Sequence, residues 1–346
     1  MRTEVATPDQ LKTNTPPLLR VTGLKRYFDV SEPFLNRLLE GKSRLILKAV
    51  IGIDFKINRG QTFALVGESG CGKSTVANLV VGLYQPTAGK IEFDGIDVAS
   101  LTSRAQMALL RRRMAMIFQD PYASLNPRWR VDAIVSEPIR AFGLLKGTQA
   151  IFQRTGELLA QVGLSPADGE KYPHEFSGGQ RQRISIARAL ASEPDFIVCD
   201  EPTSALDVSV QAQILNLMKG LQKKFDLSYL FISHDLAVVR HMADRVGVMY
   251  LGQLCEVAPV DAIFDSPLHP YTRLLLDTIP DPELTGRSSQ PVTGEIPNPI
   301  DPPSGCAFHP RCPESTDKCR REGPELTTLD SGVQVACHAI SASSEK

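Results

Sequence analysis

Four short apolar runs, each ending abruptly in polar residues, frame this chain. Thr62-Phe-Ala-Leu-Val66 is too short for a helix and apolar without alternation, the pattern of a strand buried on both faces of a parallel sheet. Met114 to Phe118, Phe196 to Cys199 and Tyr229 to Ser233 predict strands of the same kind. After the first run the period changes to that of a helix: Ser74-Thr-Val-Ala-Asn-Leu-Val-Val81 has helical spacing, and Ile184 to Ala191 predicts an amphipathic helix stopped at Glu193-Pro194. Upstream, a first strand and the segment Lys48 to Ile57 are separated by an excursion, Asp29 to Leu47, longer than a tight hairpin requires. Within it Phe34, Leu35, Leu38 and Leu39 are spaced for one apolar helix face. Toward the end, Pro280, Pro282, Pro291, Pro297, Pro299, Pro302 and Pro303 break up any regular element, which predicts a linker wrapping into a small appendage.

Length narrows the architecture: 346 residues hold one large α/β domain plus a smaller unit, but hardly two nucleotide-binding domains. With Lys+Arg 38 against Asp+Glu 39 and a net charge of −1, nothing in the overall charge points to nucleic acid as a partner. The run Arg111-Arg-Arg113 reads as a solvated helix end before the strand Met114 to Phe118. No uncharged apolar stretch reaches the roughly 18 to 20 residues of a membrane helix, and the first residues lack the basic-then-apolar pattern of a secretory signal. The expectation is a cytosolic protein unless a partner holds it at a membrane.

Chemistry enters where the apolar runs stop. Gly67 to Ser74 reads GESGCGKS, a full match to G-x-x-x-x-G-K-[ST], placed between a strand and a helix start. The glycines let backbone N–H groups turn inward around phosphates at a helix N-terminus, Lys73 adds a cation for the β- and γ-phosphates, and the Ser74 hydroxyl can ligate Mg²⁺. The expected nucleotide contacts are Gly67, Ser69, Gly70, Cys71, Gly72, Lys73, Ser74 and Thr75. Ligands of open α/β sheets gather at the carboxyl ends of the strands, so Asp200 is expected in the Mg²⁺ shell and Glu201 on an attacking water. A second helix start, Ser177-Gly178-Gly179-Gln180, offers an N-cap serine, free N–H groups and the positive end of a helix dipole. Two anion sites in one chain suggest that this second one faces the nucleotide of another subunit.

In its order of motifs the chain resembles the ATP-binding subunits of ABC transporters. The series runs from the phosphate loop through Gln119, the signature Phe176 to Gln180 (with Phe where Leu is more usual), Asp200-Glu201 and Ser204-Ala-Leu-Asp207 to His234. The resemblance implies an α/β P-loop NTPase with a mixed sheet core, an antiparallel β subdomain and a helical subdomain at about 120–195. It also implies a head-to-tail pair of such domains closed over two ATP molecules. It gives Gln119 to the Mg²⁺ ion, the water and coupling to the membrane part, Glu201 to general base catalysis, His234 to the γ-phosphate and Asp207 to the contact between protomers. Tyr27 or Phe28 resembles the aromatic that stacks on adenine, with Tyr27 preferred. Gln119-Asp-Pro-Tyr-Ala-Ser-Leu-Asn-Pro-Arg128, Tyr172-Pro-His-Glu-Phe176 and Leu268-His-Pro-Tyr-Thr272 are similar to the dipeptide and oligopeptide importer group. That likeness runs from about Leu18 to His338. It implies a tail over 1–17, a nucleotide-binding domain over 18–265 and an extension over 266–346. Partners would be a second, related ATPase, two membrane permease subunits and, indirectly, an extracytoplasmic substrate-binding protein, with the chain on the cytoplasmic face of a bacterial inner membrane. Trp129, the only tryptophan, falls near the groove beside Gln119 where a permease helix would dock.

Of seven cysteines, Cys306, Cys312, Cys319 and Cys337 crowd the tail with gaps of 5, 6 and 17 residues. In a cytosolic compartment such a set points to a metal rather than to disulfides. The spacing lacks C-x-x-C knuckles, so zinc is open but not favoured by pattern, and four thiolates suit an iron-sulfur cluster equally well. His309 and His338 stand beside these positions and could substitute in a zinc site. The segments Pro-Pro-Ser-Gly-Cys306 and Arg-Cys312-Pro are similar to importer tails that hold a four-iron four-sulfur cluster, which implies that cofactor beside ATP and Mg²⁺.

The leading expectation is therefore the energy subunit of a peptide importer, with nickel, glutathione or cationic peptides as alternative cargo. A soluble ATPase working on ribosomes or DNA is the contrasting class. It usually fuses two such domains or inserts a long coiled coil, and neither feature is present.

Overall fold

The structure, a computed structural model, describes residues 16–33, 36, 43–101, 103–277, 295 and 297–341. The apolar face expected at Phe34, Leu35, Leu38 and Leu39 lies outside these residues, as do most of the tail over 1–17 and Pro280, Pro282 and Pro291.

Two sheets carry the chain. The smaller is antiparallel, ordered β2-β1-β4-β5, with β1 Leu19–Asp29, β2 Ile46–Ile57, β4 Ala88–Phe93 and β5 Ile96–Asp97. The larger has eight strands in the order β11-β12-β10-β9-β3-β8-β7-β6. Its parallel part comprises β6 Met114–Ile117, β7 Phe196–Asp200, β8 Ser228–Ile232, β3 Thr62–Val66 and β9 Arg245–Tyr250. β3, β7 and β8 are buried along their whole length, which is why their sequences do not alternate. β10 Gln253–Pro259 turns back antiparallel on β9.

The helix Lys73–Val80 buries Val76, Ala77, Leu79 and Val80 between the sheets, in a core shared with Leu19, Leu24, Ile91 and Phe93. At about 1.5–3 kcal/mol for each large apolar side chain buried, this seam holds the antiparallel sheet firmly over the phosphate loop. Between β6 and β7 the regular elements are all helices. Val131–Ala141, Thr148–Gln161 and Gly178–Leu190 pack Val135, Ile139, Leu158, Leu159 and Ile184 into a separate cluster.

Two expectations change. The C-terminal segment is not a free-standing appendage: β12 Gln334–Val335 hydrogen-bonds to β10, and β11 Thr327–Thr328 extends that edge. Phe308 and Val333 are buried in the same cluster as Val246, Val248 and Tyr250 of β9. Pro297, Pro299, Pro302 and Pro303 stand outside regular elements, as expected, but two-residue strands completed by a distant edge leave no periodic signal. The run Arg111-Arg-Arg113 does end a helix, with Arg111 exposed, but Arg113 is also paired. Its guanidinium donates to Asp94 at 2.8 Å and to Asp195 at 2.6 Å, fastening the helix Arg104–Arg113 between the sheets.

Candidate active site

The parallel strands deliver their chemistry to one edge. Val66 ends β3 and leads into the phosphate loop, β6 leads to Gln119, β7 ends in Asp200-Glu201, and β8 leads to His234. Lys73, Ser74, Thr75, Gln119, Glu201 and His234 all line one cavity of about 470 Å³, joined by Ser69, Gly70 and Gly72 of the loop. Hydrogen bonds tie the set together. The Ser74 hydroxyl donates to Asp200 Oδ1 at 3.0 Å, and Gln119 Nε2 donates to Glu201 Oε2 at 3.1 Å. His234 Nδ1 stands 3.2 Å from the same Glu201 oxygen.

Backbone shape is as specific as the side chains. Gly67 has φ +148°, and a Cβ there would lie 2.1 Å from the Met249 carbonyl oxygen, so only glycine lets the loop leave β3 this way. Glu201 adopts φ +47°, a left-handed conformation that costs a non-glycine residue about 1–3 kcal/mol and persists where the surroundings impose it. The turn aims its carboxylate at Gln119 and His234. Lys73 is buried and donates to the Gly67 and Glu68 carbonyl oxygens at 2.7 and 3.0 Å. Burial pushes the Asp200 carboxyl above the usual carboxylate range, with the Ser74 hydroxyl acting in the opposite sense. The Ser74 hydroxyl and the Asp200 carboxylate, side by side and rich in hard oxygen, suit Mg²⁺.

The remaining expected residues fall into two groups. Cys71 is buried behind the loop, where desolvation raises its thiol pKa, and it does not line the cavity. Phe28, not Tyr27, lines it. A register shift between Arg26 and Tyr27 upsets the alternation of β1, and the Phe28 ring meets Tyr84 edge-on under the Arg26 guanidinium. Leu47, Leu251 and Pro299 line the same cavity from distant parts of the chain, and no local motif marked them.

The signature lies elsewhere. Ser177 and Gln180 form a reciprocal capping box at the start of Gly178–Leu190. Gly179 permits close packing, because a Cβ there would meet Val210 Cγ1 at 2.4 Å. Asp207 sits at the N-cap of the helix Val208–Phe225, and Val208 is 83% exposed beside it. None of Ser177, Gly178, Gly179, Gln180 or Asp207 lines the cavity of its own Lys73.

A second cavity, about 300 Å³, is lined by Cys306, Cys312, Cys319 and Cys337 together with His269, His309 and His338. Burial raises the thiol pKa values of Cys306 and Cys337 and pushes that of Cys312 up to about 11. Among the described residues, no group of three or more His, Cys, Asp or Glu side chains is gathered tightly enough to grip a single ion.

Fold and site together define an ABC-type ATPase, built to hold and hydrolyse a nucleoside triphosphate at the carboxyl edge of its parallel strands. Comparison with known proteins agrees. The family described as "ABC transporter" matches residues 50–204, and the "Oligopeptide/dipeptide transporter, C-terminal region" matches 255–319. The oligopeptide transport ATP-binding protein AppF of Bacillus subtilis is 45% identical over 95% of this chain and 99% of its own. The di/tripeptide transport ATP-binding protein DppF of Pseudomonas aeruginosa is 47% identical over 93% and 97%. Among solved structures, the ATP-binding cassette MJ0796, a dimer bound to ADP and Pi, superposes with a TM-score of 0.60 at 26% identity, covering 70% of this chain and 98% of that one. This chain belongs to the family of ATP-binding subunits of oligopeptide and dipeptide ABC transporters.

Proposed function

We propose that the chain drives import of di- and oligopeptides, coupling ATP hydrolysis to two membrane permease subunits alongside a second, related ATPase. The observation that carries this is end-to-end likeness to peptide-transport ATP-binding proteins together with the gathering of Lys73, Gln119, Glu201 and His234 on one cavity. No helix among the described residues is long and apolar enough to cross a membrane, so attachment to the cytoplasmic face would run through the permeases. Tyr122 and Trp129, which follow Gln119 in the chain, are exposed aromatics that would suit contact with a permease helix.

In this reading the loop N–H groups and Lys73 cradle the β- and γ-phosphates, and Phe28 packs on the base. Ser74, Asp200 and Gln119 would hold Mg²⁺, which would supply charge neutralisation to the phosphate oxygens. Glu201 orients water and accepts its proton as the water oxygen bonds to the γ-phosphorus and the bond to the β-phosphate oxygen breaks, releasing ADP. His234 stabilises the γ-phosphoryl oxygens. The signature of the second ATPase would close over the same nucleotide, as Ser177 to Gln180 of this chain, which do not line the cavity of its own Lys73, would over the partner's, and Asp207 would stand at that interface.

The cysteine cavity is read here as the seat of an iron-sulfur cluster rather than zinc. Four thiols share one cavity, the ligand number that a cysteine-held cluster requires. Buried thiols with raised pKa values ionise readily only against metal charge. Iron and zinc analysis after anaerobic purification decides it; a metal-free, folded C-terminal segment overturns the cluster.

Purification of the tagged chain from its native membranes in mild detergent tests the function. Two polytopic membrane proteins and a second signature-bearing ATPase should accompany it. Recovery only with ribosomes or DNA-repair factors would defeat the transport reading.

A further inference from the structure

The phosphate loop carries an acid where a polyanion must bind, and the C-terminal segment deals with it. Glu68, the second residue of the loop, has its carboxylate gripped by Arg311, whose Nη1 donates to Oε2 at 2.7 Å and Nη2 to Oε1 at 2.9 Å. This is a two-point fork on a planar carboxylate, a geometry lysine cannot reproduce. Tyr271 adds a second hold: its hydroxyl accepts from the Glu68 backbone N–H at 3.0 Å and donates to Glu68 Oε2 at 3.4 Å. Arg311 is in turn fixed. Its side chain is 3% exposed, and an aromatic cluster of Tyr250, Tyr271 and Phe308 packs around it, with the guanidinium 5.7 Å from the centre of the Tyr250 ring. Ser69 and Gly70 line the nucleotide cavity, whereas Glu68 does not.

We propose that Arg311 and Tyr271 are positioning residues for ATP, holding the Glu68 carboxylate away from the phosphates and fixing the start of the phosphate loop. Without the fork, a carboxylate on the loop itself is free to swing toward the triphosphate and repel it. The docked C-terminal segment is thus part of the nucleotide site through a contact spanning 243 residues of chain. The inference rests on the nucleotide site alone and needs no metal in the cysteine cavity.

Full-length variants, assayed for ATP hydrolysis and for MgATP binding, test it. Arg311→Met should raise both the ATP KM and Kd about tenfold, more than it lowers kcat, as expected when a charge-assisted pair on the ligand loop is lost. Glu68→Ala in the Arg311→Met background should recover part of that loss, because the repelling charge is gone. Arg311→Lys, charged but without the fork, should fall between wild type and Arg311→Met. A purely structural role for Arg311 predicts no rescue by removing Glu68. The proposal fails if the ATP KM of Arg311→Met stays within about twofold of wild type, or if the double variant binds ATP no better than Arg311→Met. Should Arg311→Met not fold, Tyr271→Phe decides. Loss of its hydroxyl should raise the ATP KM about threefold, and an unchanged KM overturns the proposal.

Discussion

Glu201 shows how much a single residue can be asked to do. Its left-handed backbone, its place at the end of a buried strand and its contacts with Gln119 and His234 all direct one carboxylate oxygen into the cavity. Glu201→Gln keeps that shape and removes the base. It should retain ATP while turnover falls by about 10²–10⁴-fold, measured by hydrolysis and nucleotide binding side by side. Hydrolysis at the wild-type rate would refute the role. Gly67→Ala tests the loop in the opposite way, through shape alone. The added methyl must push against the Met249 backbone, so ATP affinity should drop at least about tenfold, and the strain of about 1–3 kcal/mol should lower Tm by several degrees in a thermal melt. Gln119, Asp200, Glu201 and His234 were legible in the sequence because each closes or directly follows an apolar run, and strand ends are where a parallel sheet presents its chemistry. The aromatic wall was not legible, because a bulge in β1 decides whether Tyr27 or Phe28 faces the cavity.

Elements are held in register by links that no motif announces. Arg113, at the last position of its helix, joins Asp94 after β4 to Asp195 before β7, and the Asp195 backbone N–H donates to the Arg113 carbonyl at 3.0 Å. The Arg113 guanidinium holds the Asp94 carboxyl below the usual carboxylate range, with Arg59 assisting. Because these groups are partly exposed, Arg113→Ala should cost only about 1 kcal/mol, a Tm change of about 2–4 °C. The depressed folded value sets the sign of its pH dependence. The Asp94 contribution is complete above its unfolded pKa of about 4 and is lost as pH falls through the lowered folded value. The stability gap between wild type and variant, followed by urea unfolding, should therefore hold from pH 7 to about 5 and shrink below 4. A gap that widened in acid would contradict the pairing.

At the scale of the whole molecule, the phosphate loop and the signature stand apart. Lys73 and Glu201 share a cavity, while Ser177 and Gln180 cap a helix whose start does not line it. Ser177→Arg should leave ATP binding to the chain within about twofold, yet remove hydrolysis at the partner's nucleotide in the assembled pair, because in the proposed pairing the blocked helix start would serve that site. Loss of ATP binding by the isolated variant would place the signature in the wrong site. By itself the sequence determined the strand-loop-helix of the phosphate site and the acids and histidine at strand ends. These depend on short stretches whose apolar period and turn chemistry are local. Only the tertiary structure decided that the cysteine-bearing segment adds strands to the main sheet, that Phe28 rather than Tyr27 walls the cavity, and that Arg311 reaches back to Glu68. Each of those depends on packing between residues far apart in the chain, where burial and charge pairing choose the partner and no local pattern records the choice.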